Sequence, residues 1–277
     1  MTRRTTPWLA TAPYALMVVA LLALPLLGIF DLSLRERSAT SLSGAGFTTA
    51  NYARLAEPYY LNVIWQTLRL ALTATLIELV IALPVAYAMA RVRASIKAVI
   101  GILVMIPLMT SVVVKTFGWY ILFGNEGPLA GVWRSLGLPG GSLLGTQFAV
   151  LCGMVEFGLP FMIYSLSAAM EKIPPSLEEA AANLGAARWR VWWLVLLPLS
   201  RAGMLSGFLL CFGVSASAYV VPALLGGTRI KMAAQLMYDD VLVAFNWPGA
   251  SAVAMLLLLI LLFVLYAAML LGKGRKP

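Results

Sequence analysis

The run KIPPSLEEAAANLGAARWRVWWLVLLP, Lys172 to Pro198, sets a compact polar helix between two long apolar stretches. Pro174 and Pro175 stop any helix that precedes them, because proline lacks an amide donor and its ring clashes with the preceding turn. Ser176 reads as an N-cap, with Glu179 three residues on as its capping-box partner. Glu178 and Glu179 also suit the positive end of the helix dipole. Ala180, Ala181 and Ala182 are the strongest helix formers available. Gly185 supplies the left-handed residue at which a helix ends. The spacing predicts a two-turn helix whose small alanine face lets another protein approach closely.

Outward from this run the chain is too apolar for water. Of 277 residues 61% are apolar and 11% charged, whereas soluble domains carry about 25% charged residues. Charge-free runs from Ala202 to Thr228 and from Val241 to Gly272 each exceed the roughly 20 residues that cross a bilayer as a helix. Charges, prolines and glycines divide the chain into six such helices, near 13–33, 63–90, 98–123, 147–170, 199–221 and 250–272. Arg3 and Arg4 ahead of an apolar stretch imitate a secretory signal. Pro13–Phe30 is longer than a signal's apolar region, however, and Asp31 follows without a cleavage site, so a retained first helix is expected. The fold class is all-α integral membrane, six transmembrane helices in one domain over 1–277, with 172–198 as its main loop.

The net charge of +9 would suggest nucleic acid in a soluble protein. Here the basic residues lie in short clusters between apolar spans, which the positive-inside rule explains, and no nucleic-acid partner is expected. One side receives Arg3, Arg4, Arg91, Arg93, Lys97, Lys172, Arg188, Arg190, Arg201, Lys273, Arg275 and Lys276. The other receives Arg35, Arg37, Arg54, Arg134, Arg229 and Lys231, offset by six acids. Both termini and the 172–198 loop are therefore expected in the cytoplasm. Histidine is absent, and Cys152 and Cys211 both sit inside apolar spans. They form neither a disulfide framework nor a zinc site, and no metal is expected.

The loop resembles the cytoplasmic signature of permease subunits of type I ABC importers. That signature is Glu-Ala-Ala, three residues, Gly, nine residues, Ile, one residue, Leu-Pro. Glu179-Ala180-Ala181, Gly185, Val195, Leu197 and Pro198 match it at those spacings, with Val for Ile the single departure. NYARL (Asn51–Leu55), TLRLAL (Thr67–Leu72), PLMTSVVVKTFGW (Pro107–Trp119), SAYVVPALLGG (Ser217–Gly227) and NWPGASA (Asn246–Ala252) resemble permeases of the spermidine/putrescine type. The resemblance implies a type I importer permease fold in a bacterial inner membrane. It implies two ATPase subunits, a second, similar permease subunit and an extracytoplasmic solute-binding protein as partners. The short helix would be the coupling helix, with Glu179, Ala180, Ala181 and Gly185 in contact with the ATPase and Glu178, Asn183 and Leu184 flanking them.

No Gly-x-x-x-x-Gly-Lys-Ser/Thr phosphate loop occurs, so ATP and Mg belong on the partner ATPase and this chain should bind no cofactor. Neither a Gly-x-Ser-x-Gly elbow nor a His-Glu-x-x-His helix is present, which disfavours a membrane-embedded enzyme. A secondary transporter working without ATP should show internal repeats or broken helices. Four ionisable residues fall within the spans: Arg69, Glu78, Lys115 and Glu156. Arg69 and Lys115 lie near outer ends, from which they can snorkel to the interface. Glu156, flanked by Gly153, Gly158 and Pro160, reads as cavity-facing, with an ion pair or a protonated carboxyl as alternatives. Glu78 reads as packed or paired. Midplane acids favour a cationic solute such as a polyamine or an amino-acid-derived compound. Trp119 and Tyr219 could add cation–π faces, or serve as core aromatics. Finally, Lys231–Phe245 has Met232, Leu236, Val241 and Phe245 near helical spacing opposite Asp239 and Asp240, the pattern of an outer interfacial helix.

Overall fold

The computed structural model describes residues 7–38, 41–135 and 142–273. Regular structure among them is helical apart from one isolated antiparallel bridge between Arg35 and Phe47. Hydrocarbon demands this, since it offers an unpaired amide nothing, and a helix satisfies its own backbone. In chain order the helices are α1 (Pro7–Ser33), α2 (Ala50–Leu55), α3 (Pro58–Arg91), α4 (Ala94–Met109), α5 (Val112–Phe123) and α6 (Pro128–Ser135). They continue with α7 (Gln147–Met170), α8 (Pro175–Asn183), α9 (Arg188–Val191), α10 (Leu197–Leu199), α11 (Arg201–Ala216), α12 (Ala233–Leu242) and α13 (Trp247–Lys273). Wider π-helical turns occupy Trp192–Leu196 between α9 and α10, and Pro222–Gly226 after α11.

Among the described residues four helices are long and apolar enough to cross a membrane, or six if each of two bent pairs is one span. The expected third span, 98–123, is not continuous. It breaks at Thr110 and Ser111, whose extended backbones end α4 and start α5, and the arms Ala94–Met109 and Val112–Val132 differ in direction by 89°. The expected fifth span, 199–221, begins at the second bend, where Arg188–Leu199 and Arg201–Ala216 differ in direction by 68°. No Gly or Pro stands at Thr110 or Ser111, so apolar composition alone reads straight through that break. Arg3, Arg4, Arg275 and Lys276, on which the placement of the termini leans, lie outside the described residues, as do the side chains of Arg134 and Lys273.

The chain divides into two compact units, Met1–Leu61 with Leu236–Leu259 and Asn62–Gln235 with Ile260–Pro277. In the first, the Asn51 side-chain amide donates to the carbonyls of Ser33 and Arg35, at 2.9 and 2.8 Å. It thereby satisfies acceptors that the end of α1 leaves open. Asn246 does the matching work at the start of α13, its Oδ1 accepting the Gly249 amide at 3.2 Å. Arg54 lies across the Tyr60 ring at 4.7 Å and reaches Asp240 at 3.4 Å. Burial raises the Asp240 carboxyl above the usual range, and Arg54 opposes that shift. The interfacial pattern expected over 231–245 is therefore revised. Asp240 is 4% exposed rather than facing away with Asp239, while Leu242 and Phe245 are exposed, because Arg54 gives the buried acid a partner.

The second unit is built around α7, whose long face packs on α11. Gly203 lies so close to Ala169 that a Cβ there would overlap it, and Gly207 is similarly pressed against Met162 and Ser165. Small residues at such a crossing let two helices approach and gain dispersion contacts, which is what drives association where no water is displaced. Leu70, Val150, Met154, Val221 and Leu225 pack together toward one end of this unit, and Met89, Met162, Leu166 and Cys211 toward the other.

Candidate functional site

The 172–198 loop folds as a short helix, with one change at its start. Pro174 is the N-cap and Pro175 the first helical residue, and no side chain caps the helix. Proline's fixed φ is pre-organised for that first position. Ser176 is consequently already helical, and the capping box with Glu179 does not form. The other end is as expected. Gly185 adopts φ +78°, the Gly185 amide bonds the Ala182 carbonyl at 2.9 Å, and the Ala186 amide bonds that of Ala181 at 3.1 Å. That pair of bonds is the Schellman motif, which fixes where the helix ends.

The faces of α8 divide cleanly. Glu179, Ala180, Ala182, Asn183, Leu184 and Gly185 are exposed, Leu184 by 88%. Glu178 and Ala181, three residues apart, turn inward. The Glu178 carboxylate accepts from the guanidinium of Arg91 at 2.6 Å and from the Tyr87 hydroxyl at 2.8 Å. Arg91 also donates to the carbonyls of Met170 and Ile173. Tyr87 in turn meets the Trp192 ring, centroid to centroid, at 4.9 Å. One cluster therefore ties α8 to the end of α3, the end of α7 and the π-helical turn leading into α11. Tyr87, four residues before Arg91 on α3, carries no sequence signal, and Arg91 reads only as a basic residue of the cytoplasmic side; their i, i+4 spacing is visible, but their partner lies far along the chain. Nearby, Lys97 bonds Glu171 at 2.7 Å. That hydrogen bond is the main cause holding the Glu171 carboxyl below the usual range.

Within the spans, Lys115 does not snorkel. Its Nζ lies 2.9 Å from Glu156 Oε1 and 5.4 Å from the centroid of the Phe157 ring. Glu156 is thus both ion-paired and cavity-lining. With Trp119, Ile77, Val104, Cys152 and Leu159 it borders an otherwise apolar cavity of about 530 Å³. Trp119 stacks on Phe123 at 5.2 Å. Tyr219 lies elsewhere, on a separate cavity of about 330 Å³ with Phe157, Met154 and Val214. Phe157 stands between the two, its neighbour Glu156 on one and its own ring on the other.

Glu78 stands apart from both cavities. It is fully buried, and neither carboxyl oxygen has a hydrogen-bond partner. The carboxyl fits only because residue 158 is glycine, since a Cβ there would overlap it. Arg69 donates to the Gln147 side-chain carbonyl at 2.6 Å. Among the described residues no group of His, Cys, Asp and Glu could hold a metal ion.

Comparison with known proteins fits this arrangement. Residues 78–273 match the family model "Binding-protein-dependent transport system inner membrane component". The spermidine/putrescine transport system permease protein PotB of Haemophilus influenzae is 30% identical over 250 residues, covering 88% of this chain and 87% of its own length. The molybdenum transport system permease protein ModB of Azotobacter vinelandii is 30% identical over 214 residues, covering 75% of this chain and 93% of ModB. Among solved structures, a bacterial ABC transporter that imports the acidic polysaccharide alginate superposes with a TM-score of 0.76 at 17% identity, over 97% of this chain and 96% of that one.

Proposed function

The chain belongs to the family of binding-protein-dependent transport system inner membrane components, the permease subunits of ABC importers, and on that premise we propose that it couples ATP hydrolysis on a partner subunit to import of a cationic solute. The proposed assembly has two ATPase subunits that carry ATP and Mg, a second, similar permease chain and a solute-binding protein. The reading rests on α8. Its exposed face is small and alanine-rich, it ends sharply at Gly185, and its inward side is anchored by Arg91 and Tyr87. A helix held on one side and open on the other can take a push without yielding.

In this reading Glu179, Ala180, Asn183, Leu184 and Gly185 meet the ATPase, while Ala181 faces the bundle beside Glu178, which holds the helix to it. ATP-driven closure of the two ATPases draws the coupling helices together. The shift passes through α9, the π-helical turn and α10 to α11, and Pro198 in α10 lets the ladder bend. Loading from the binding protein and alternating access follow, with hydrolysis resetting the cycle. The solute assignment is carried by Glu156 with Trp119, an acid and an aromatic on one cavity, and by similarity to a permease named for spermidine and putrescine.

Cysteine crosslinking tests the coupling role. An Ala182→Cys variant, on the open face of α8, should crosslink to the ATPase in the assembled transporter, and uptake into proteoliposomes should require ATP. Assembly without any such crosslink, or solute flux in the absence of ATP, would instead support an independent secondary carrier.

A further inference from the structure

The Lys115–Glu156 pair is oddly built for a structural strut. A carboxylate within hydrocarbon is costly and an ion pair relieves the cost, so a purely structural pair belongs in sealed packing. Here the Glu156 side chain keeps 26% of its surface exposed and borders the cavity of about 530 Å³.

The chemistry of the occupant matters as well. A lysine side chain is a primary ammonium on a four-methylene stem, which is the stem and one end of a linear 1,4-diamine. Its Nζ rests against a carboxylate oxygen and over an aromatic face, at 2.9 and 5.4 Å. Carboxylate plus ring is the recognition set for an alkylammonium ion. Lys115 therefore occupies a ready-made ammonium subsite.

Its tether can let go. Lys115 is in the first turn of α5, directly after the break at Thr110 and Ser111, where the chain turns by 89°. The positive end of the α5 dipole disfavours a cation in that turn. A rotation of α5 about the break would lift the ammonium off α7, leaving Glu156 and Phe157 where they are.

We propose that Lys115 is a tethered stand-in for the solute, filling the Glu156–Phe157 subsite until a primary alkylammonium takes its place as the cavity opens. The inference rests on the cationic-solute reading above and adds a selection rule: a solute without a primary ammonium cannot displace Lys115.

The test uses the assembled transporter in detergent with 1,4-diaminobutane as the probe. Lys115→Met should bind the diamine at least about tenfold more tightly than the parent, because the fraction of open subsites rises. Glu156→Gln should lose that binding, and Lys115→Arg should stay at or below the parent. Should Lys115→Met assemble poorly, Lys115→Ala supplies a second readout: n-butylammonium should raise its melting temperature, whereas n-butanol should not. If Lys115→Met and Glu156→Gln shift diamine affinity in the same direction, or n-butanol stabilises Lys115→Ala equally, the pair is structural and the proposal fails with the cation reading intact. If the parent and Lys115→Met both ignore the diamine while α8 still crosslinks to the ATPase, the cationic-solute reading fails and takes the proposal with it.

Discussion

Gly185 shows what a single residue contributes. At φ +78° an L side chain is strained, yet a Cβ built there meets nothing within 4 Å. Gly185→Ala therefore carries only the left-handed penalty of about 1–2 kcal/mol, and uptake should fall modestly. Gly185→Trp adds a bulky ring on the docking side of α8 and should abolish both ATPase stimulation and uptake while the chain still inserts. Normal uptake by the Trp variant would remove this glycine from the coupling role. Gly185 was legible because a helix stop is a local property, written within five residues. Ser176 departs from its expected N-cap role for an equally local reason: Pro175 takes the first helical position, so the serine is already inside the helix. The two midplane acids divide along the same line. Position along the chain places Glu156 and Glu78 in the membrane, but only packing decides that one meets Lys115 while the other is shut in beside Gly158.

Among elements, the most consequential contact is the hold of α3 on α8. The Arg91 and Glu178 side chains are 17% and 18% exposed, so their bond is partly shielded from water. Hydrogen bonds to charged groups of this kind contribute about 2 kcal/mol. Arg91→Ala should loosen α8, so that ATP hydrolysis continues with much less solute moved per ATP. Exchanging the partners, Arg91→Glu with Glu178→Arg, should recover part of the lost coupling, while each single reversal should be worse than alanine. Equal loss in the double and single reversals would mean that the pair only helps the chain fold. Sequence gave no warning of this contact, because residues 91 and 178 are joined by tertiary geometry and not by any spacing. The broken helices were hidden differently. Thr110 and Ser111 are compatible with a helix in hydrocarbon, where a hydroxyl bonds back to its own backbone as Thr110 does to the Ile106 carbonyl, so their composition does not mark the corner.

For the molecule as a whole, composition and the spread of basic residues carried most of the weight, since both are sums over many positions and tolerate local errors. At this scale the path of the chain between α8 and α13 is what sets the topology. At 1.5 Å per residue, a helix of the 16 residues in α11 rises about 24 Å, short of the roughly 30 Å hydrocarbon core. A full crossing needs part of the segment on either side, either Arg188–Leu199 or the stretch through the π-helical turn at Pro222–Gly226. A re-entrant loop would need neither and would return the chain to the side it left. The two paths place Ala182 and Phe245 on opposite sides or on the same side. Cys152 is half-buried and Cys211 buried, so both can stay in place as a low background. In intact cells an impermeant maleimide should label Phe245→Cys readily, since that side chain is 66% exposed. Ala182→Cys should be labelled only after the membrane is opened. Labelling of both from outside would refute the crossing and, with it, the placement of α8 against a cytoplasmic ATPase.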